Sequence, residues 1–153
     1  DIAGFLPTSK TSLQSWLPYF NLQQSIIAVH NTFTCEEDVG FVKNQNNEVY
    51  FCLCPNANLY IENALPPVDL LLKSECNIVL GTDSLASNHT LNMMDEINVL
   101  QKYYPHISLE TLLQWATING AQALGMYDQL GSFEKGKRPG VLLIEETTSK
   151  RVI

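Results

Sequence analysis

Positive charge is scarce in this 153-residue chain: nine Lys and Arg stand against sixteen Asp and Glu, giving a net charge of −7 and a pI near 4.8. The few cations are dispersed apart from Lys135, Lys137 and Arg138. Without a basic stripe to follow a phosphate backbone, nucleic acid is not an expected partner. Nowhere do about 18 apolar residues follow one another, as a membrane-spanning helix requires. The first residues, Asp1 to Pro7, contain neither an initiator Met nor the charged-then-apolar order of a secretion signal. No membrane partner is expected, and a cytoplasmic location is. The four cysteines, Cys35, Cys52, Cys54 and Cys76, do not fall into paired C-x-x-C zinc spacing. Cys52 and Cys54 are expected to share one face of a strand, where two small buried thiols are favoured over a metal or redox pair. No phosphate-cradling G-x-G-x-x-G loop occurs, which disfavours a dinucleotide-binding domain.

What is present is a chain 45% hydrophobic, enough for one domain with a sizeable core. Leu13, Trp16, Leu17 and Phe20 form an apolar face on a short helix after an irregular lead-in over residues 1–10. Ile26 to Val29 reads as a continuous buried strand ending at His30-Asn31-Thr32. Thr34-Cys35-Glu36-Glu37 has the form of a capping box with Thr34 as cap, so a helix is expected from there to the polar run 44–47. Val49 to Cys54 is rich in β-formers and is ended by Pro55, followed by a polar loop, Asn56-Ala57-Asn58. Pro66-Pro67 opens a helix over Val68 to Leu72. Ile78-Val79-Leu80 is too short and too apolar for anything but a buried strand, and Gly81-Thr82 turns the chain. Beyond it lies an amphipathic helix to about Tyr103, with Asp95, Glu96, Asn98 and Gln101 on its polar side. A Ser108-capped helical stretch runs to Gly125, and a strand over Val141 to Ile144 follows a turn-rich segment. Alternating strands and helices argue for a parallel α/β sheet with right-handed crossovers. Three parallel strands leave open edges and an uncovered face, so the chain is expected to be incomplete or self-associating.

Two titratable groups stand just past the C-terminal ends of strands, His30 and Asp83, at the edge where parallel sheets and barrels collect their chemistry. For Asp83 the alternative is a turn or helix cap, which Asp often provides.

Five segments, Val29-His30-Asn31-Thr32, Cys54-Pro55-Asn56-Ala57-Asn58-Leu59, Gly81 to Asn88, Ala116 to Ala121 and Gly131 to Lys137, follow one another in the order found in the amidohydrolase superfamily. The chain resembles the branch that holds S-adenosylhomocysteine deaminases, guanine deaminases and triazine chlorohydrolases. The resemblance implies the C-terminal portion, about strands six to eight, of a TIM-type (β/α)8 barrel over residues 1–125. Residues 126–153 would then be a turn and a final strand of a small β-sandwich. It further implies a divalent metal, Zn or Fe, a small amino-substituted heterocycle of purine or pyrimidine type as substrate, and a missing N-terminal half or a homo-oligomer. Asp83 corresponds to the family's metal-ligating, proton-accepting Asp, and His30 to the His that steadies the tetrahedral intermediate. Asn58, Ser87 and Asn88 correspond to the substrate side of the pocket. Leu53 stands where many relatives carry His and Ala57 where they often carry Ser, while His89 and His106 match no motif and are read as surface residues. The isolated chain is expected to be inactive, and the alternative is a non-catalytic, self-associating α/β piece.

Overall fold

A computed structural model describes residues 9–145 and 148–152. Three strands, β1 (Ser25–Val29), β2 (Glu48–Leu53) and β3 (Asn77–Leu80), form a parallel sheet in that spatial order. The register pairs Ala28 with Phe51, Phe51 with Ile78, and Leu53 with Leu80. One face of the sheet therefore carries Ile26, Ala28, Val49, Phe51, Leu53, Ile78 and Leu80, since side chains alternate along a strand. Against it pack the apolar positions of α2 (Glu36–Lys43), α4 (Val68–Lys73), α5 (Met93–Tyr103) and α6 (Leu109–Ala116), among them Val39, Leu71, Ile97 and Leu112. Phe51, Leu53, Leu71, Ile97, Leu100 and Leu112 are all 1% exposed or less, so this face forms the main core.

Short helices complete the layer. α1 (Ser12–Trp16) runs into a 3-10 turn (Leu17–Tyr19), and α3 (Pro55–Glu62) follows β2 directly. α7 (Ile118–Ala123) touches both β1 and β3, and its Asn119 side-chain amide donates to the Ile78 carbonyl at 2.8 Å. β4 (Leu142–Glu145) pairs antiparallel with β5 (Thr148–Arg151) in a separate two-stranded sheet. The expected irregular lead-in lies largely within residues 1–8, outside the described residues.

Several expectations need correcting. β1 is not buried throughout: Ile27 and Val29 are 37% and 49% exposed, because β1 lies at the edge of the sheet and only its alternate residues meet the helices. Of the four apolar residues near α1, Leu17 is buried whereas Trp16 and Phe20 are exposed beside that edge. Asn56-Ala57-Asn58 is the first turn of α3 rather than a loop, since Pro55 supplies the fixed φ suited to a helix's first position. Thr117, at φ −125° and ψ −82°, breaks the long C-terminal helical stretch into α6 and α7.

The start of α2 is also shifted. Its N-cap is Cys35, and the reciprocal acid is Asp38 rather than Glu37. The Asp38 carboxylate, 1% exposed, accepts from the Cys35 amide at 3.2 Å, from Gln14 Nε2 at 2.8 Å and from the Thr11 hydroxyl. It thereby ties the start of α1 to α2. Burial pushes the Asp38 pKa up, but the bonds from Thr11, Cys35 and Gln14 outweigh it and hold the group below its ordinary 3.8.

A carboxyl held below its unfolded value contributes stability that is complete above that value and is lost as pH falls through the folded pKa. Asp38→Asn should therefore destabilise the chain by about 1–3 kcal/mol at neutral pH, the cost of leaving buried donors unmatched. Its stability should also fall less than that of the wild type between about pH 5 and pH 2. Urea denaturation followed by circular dichroism at several pH values checks both.

Candidate active site at the C-terminal edge of the sheet

Because β1, β2 and β3 run parallel, their C-terminal ends share one edge. The residues just beyond them are His30, Cys54 and Asp83. Strict alternation would send the His30 side chain to the helix-covered face with Ile26 and Ala28. Instead the backbone enters the left-handed region at His30 (φ 72°) and Asn31 (φ 60°), and again at Asp83 (φ 56°). Such conformations cost a non-glycine residue of order 1–3 kcal/mol and persist where surrounding bonds enforce them. Here the His30 amide donates to the Cys52 carbonyl at 2.9 Å, and the Asn31 side-chain amide donates to the Ala28 carbonyl at 2.7 Å. The outcome is convergence: His30 Nε2 lies 3.9 Å from Asp83 Oδ2, with both side chains about one-third exposed. That gap is too long for a direct hydrogen bond, yet one oxygen atom can sit about 2.8 Å from both groups.

The Asp83 loop is held from within. The Ser87 hydroxyl donates to Asp83 Oδ2, and the Ser87 amide closes on the Ser84 carbonyl at 3.1 Å. The Asn88 side-chain amide donates to the Thr82 carbonyl at 2.7 Å and to Glu96 Oε1 at 2.6 Å, so both its hydrogens are engaged inside the protein. Asn58 is fully buried, and its amide donates to the Thr32 hydroxyl, linking α3 to the segment after His30. His30, Asp83 and Ser87 thus meet at one place, while Asn58 and Asn88 brace the segments carrying the first two. His89 lies edge-on to Tyr60, and His106 pairs with Asp69 at 2.8 Å on the surface.

Under this edge sit the two thiols. The Cys54 thiol donates to the Cys52 sulfur, which pushes the Cys54 pKa up and the Cys52 pKa down; burial raises both. All four cysteines are free. Among the described residues, no three His, Cys, Asp or Glu side chains are gathered in a way that holds a metal.

The group that sequence reasoning misplaced is Glu96, assigned to the polar side of α5 but 0% exposed. Its carboxyl accepts from the Asn56 backbone amide at 2.9 Å as well as from Asn88. A signal existed: Met93, Glu96, Ile97 and Leu100 stand at i, i+3, i+4 and i+7, the spacing of a buried helical stripe, with a carboxylic acid in one of its four places.

The model of the amidohydrolase family matches residues 8–152, and the chain belongs to that family. It is 36% identical over 124 residues to the 5-methylthioadenosine/S-adenosylhomocysteine deaminase of Teredinibacter turnerae, covering 76% of this chain and 28% of that protein. Among solved structures, an adenosine deaminase from Xanthomonas campestris with bound zinc is 32% identical with a TM-score of 0.66, covering 76% of this chain and 28% of that one. The guanine deaminase of E. coli is 25% identical with a TM-score of 0.68, covering 82% and 29%. The mixed α/β architecture with its parallel sheet matches these neighbours. The chain spans a little under a third of the length of each.

Gly81 is where β3 must pass the two thiols. A Cβ there would stand 2.9 Å from Cys52 Sγ and 3.3 Å from Cys54 Sγ, closer than packed atoms approach. Gly81→Ala should cost about 1–3 kcal/mol by overpacking. Combining it with Cys52→Ala, which removes the nearer sulfur, should return part of that loss in a double-mutant cycle of thermal denaturation.

Proposed function

We propose that this chain is the C-terminal portion of a metal-dependent aminohydrolase that attacks a ring C–N bond with an activated water. The observation that carries the reading is the 3.9 Å approach of His30 to Asp83 at the C-terminal edge of a parallel sheet, in a chain of the amidohydrolase family. On this reading β1, β2 and β3 are strands six, seven and eight of a (β/α)8 barrel, of which residues 1–125 supply only that portion. Residues 126–153, with β4 and β5, contribute to a small β-sandwich. The surface beside β1 supports a barrel continued by further strands. A cavity of about 630 Å³ opens there, lined by Trp16, Phe20, Ile27, Val29 and His30 among others, and its exposed apolar side chains suit cover by a neighbouring strand. The same exposed face favours the second reading, self-association of an isolated piece.

A catalytic divalent site uses three protein ligands and keeps one position open. His30 and Asp83 alone do not fill that set, so we assign Asp83 one ligand position and leave the others to the rest of the barrel. The bound zinc of the Xanthomonas relative supports Zn as the metal, with Fe the alternative. Such a metal supplies a water whose pKa is lowered toward neutrality. Asp83, which would help hold the metal, would take up a proton at its carboxylate, whose rotation Ser87 fixes by donating to Oδ2. His30 donates from Nε2 to the oxygen on which charge grows as the ring carbon becomes tetrahedral. Asn58, Ser87 and Asn88 set the walls of the pocket, the two asparagines through the backbone they brace. The names of the relatives support a purine-type substrate carrying an exocyclic amine.

Ammonia release from adenosine-, guanine- and methylthioadenosine-type substrates tests the reading. In a zinc-loaded protein containing the remaining strands, Asp83→Asn and His30→Ala should each lower kcat on the order of 10²–10⁴-fold, with KM changing far less. Unchanged kcat in either variant would sink it. The 153-residue chain alone should release no ammonia above background, and robust turnover by it would refute the need for further ligands.

A further inference from the structure

Glu96 is a carboxylic acid 0% exposed to solvent, in a helix that faces the main core, and among the described residues no ion pair reaches it. A buried carboxyl is costly unless both oxygens are matched. Both are. Oε2 receives the backbone amide of Asn56, one of the donors left unpaired at the start of α3, at 2.9 Å. Oε1 receives the Asn88 side-chain amide at 2.6 Å, and the other hydrogen of that amide goes to the Thr82 carbonyl at 2.7 Å. One side chain of α5 therefore joins the end of β2 to the residue before Asp83. Asp83 needs such a restraint, because it sits at φ 56° with its peptide neighbours in an otherwise exposed loop.

We infer that Glu96 is a positioning residue: through Asn88 and Thr82 it locks the Asp83 loop to the start of α3 and keeps the Asp83 carboxylate aimed at His30. The inference rests on the proposed function for its catalytic meaning, though the clamp itself does not. Asn58 extends the restraint to the other partner. It lies in the same first turn of α3 as Asn56 and donates to Thr32, two residues beyond His30. Glu96 thus stands behind both groups of the site without touching either.

Gln has nearly the volume of Glu but one acceptor oxygen in place of two. In Glu96→Gln either Asn56 or Asn88 faces a second donor, and Asn88 cannot turn its amide without losing the Thr82 carbonyl. Hydrogen exchange read by mass spectrometry on the full chain should show at least tenfold faster exchange in peptides covering residues 81–90, with β1–β3 unchanged. Asn88→Ala cuts only the link to the loop. It should give the same local loosening while the amides of residues 56–58 stay protected, which keeps the test decisive if Glu96→Gln does not fold. Val39→Ala, a core truncation elsewhere, should not reproduce the pattern. Exchange in 81–90 that stays as in the wild type, or rises equally across β1–β3, overturns the inference. In the longer zinc-loaded protein, Glu96→Gln should lower kcat at least tenfold with KM within twofold. Local loosening with unchanged kcat would leave the clamp standing but overturn its positioning of Asp83, whereas unchanged kcat in Asp83→Asn would overturn the proposed function itself.

Discussion

The parallel register of β1, β2 and β3 is the constraint on which everything else here depends. Reversing one of the two pairings would place His30 and Asp83 at opposite ends of the sheet, and reversing both would carry the end of β2, with Cys54, away from them. Three parallel strands in sequential order deliver the ends of all three to one edge, with β2 between the two site residues. Parallel pairing demands a crossover after each strand, and the crossovers supply the helices that bury Phe51, Leu53, Ile78 and Leu80. The same segments that build the core therefore also launch the site loops. A sheet buried on one face and open at its β1 edge is stable as part of a larger closed structure. This agrees with a chain that spans a little under a third of the length of its relatives.

The strands of that sheet were legible because short apolar runs bounded by Gly, Pro and Asn admit few other conformations. Val49 to Leu53 and Ile78 to Leu80 fall where their composition puts them. Exposure was harder to read. Ile26 to Val29 looks the same whether it lies in the middle of a sheet or at its edge, and only the absence of a neighbour leaves Ile27 and Val29 half-open. Local signals also competed: Thr34–Glu37 and Cys35–Asp38 have the same spacing. What decided between them was tertiary, because Thr11 and Gln14, more than twenty residues away, converge on Asp38. No window of sequence around α2 contains that information. The antiparallel partner β5 of the last strand was likewise not foreseen.

The candidate site divides in the same manner. His30 and Asp83 were visible as polar residues at strand ends, and their partners Ser87 and Asn88 as short polar groups in the same loop. The left-handed turns that swing His30 toward Asp83 were not visible, since neither residue is glycine and nothing local demands a positive φ. Those conformations are imposed by bonds from Cys52 and Ala28 on one side and by the Asn88 bridge on the other. A site whose geometry is set from outside its own loops can be located in sequence by residue type, but its shape must be read from the packing.

Glu96 carries that reasoning to its end. A helix meant only to fill space would place an apolar residue at a fully buried position of α5, as Met94, Ile97 and Leu100 do. A carboxyl in that place gives up hydrophobic burial and takes on a desolvation cost that only matched donors can offset. Leu or Met would pack there and leave the Asn56 amide and one hydrogen of the Asn88 side-chain amide without partners. The buried acid thus exchanges generic stability for a fixed relation between two loops. That exchange suits an edge where a carboxylate and an imidazole lie 3.9 Å apart. A fully buried polar group is therefore part of what gives the exposed ones their geometry.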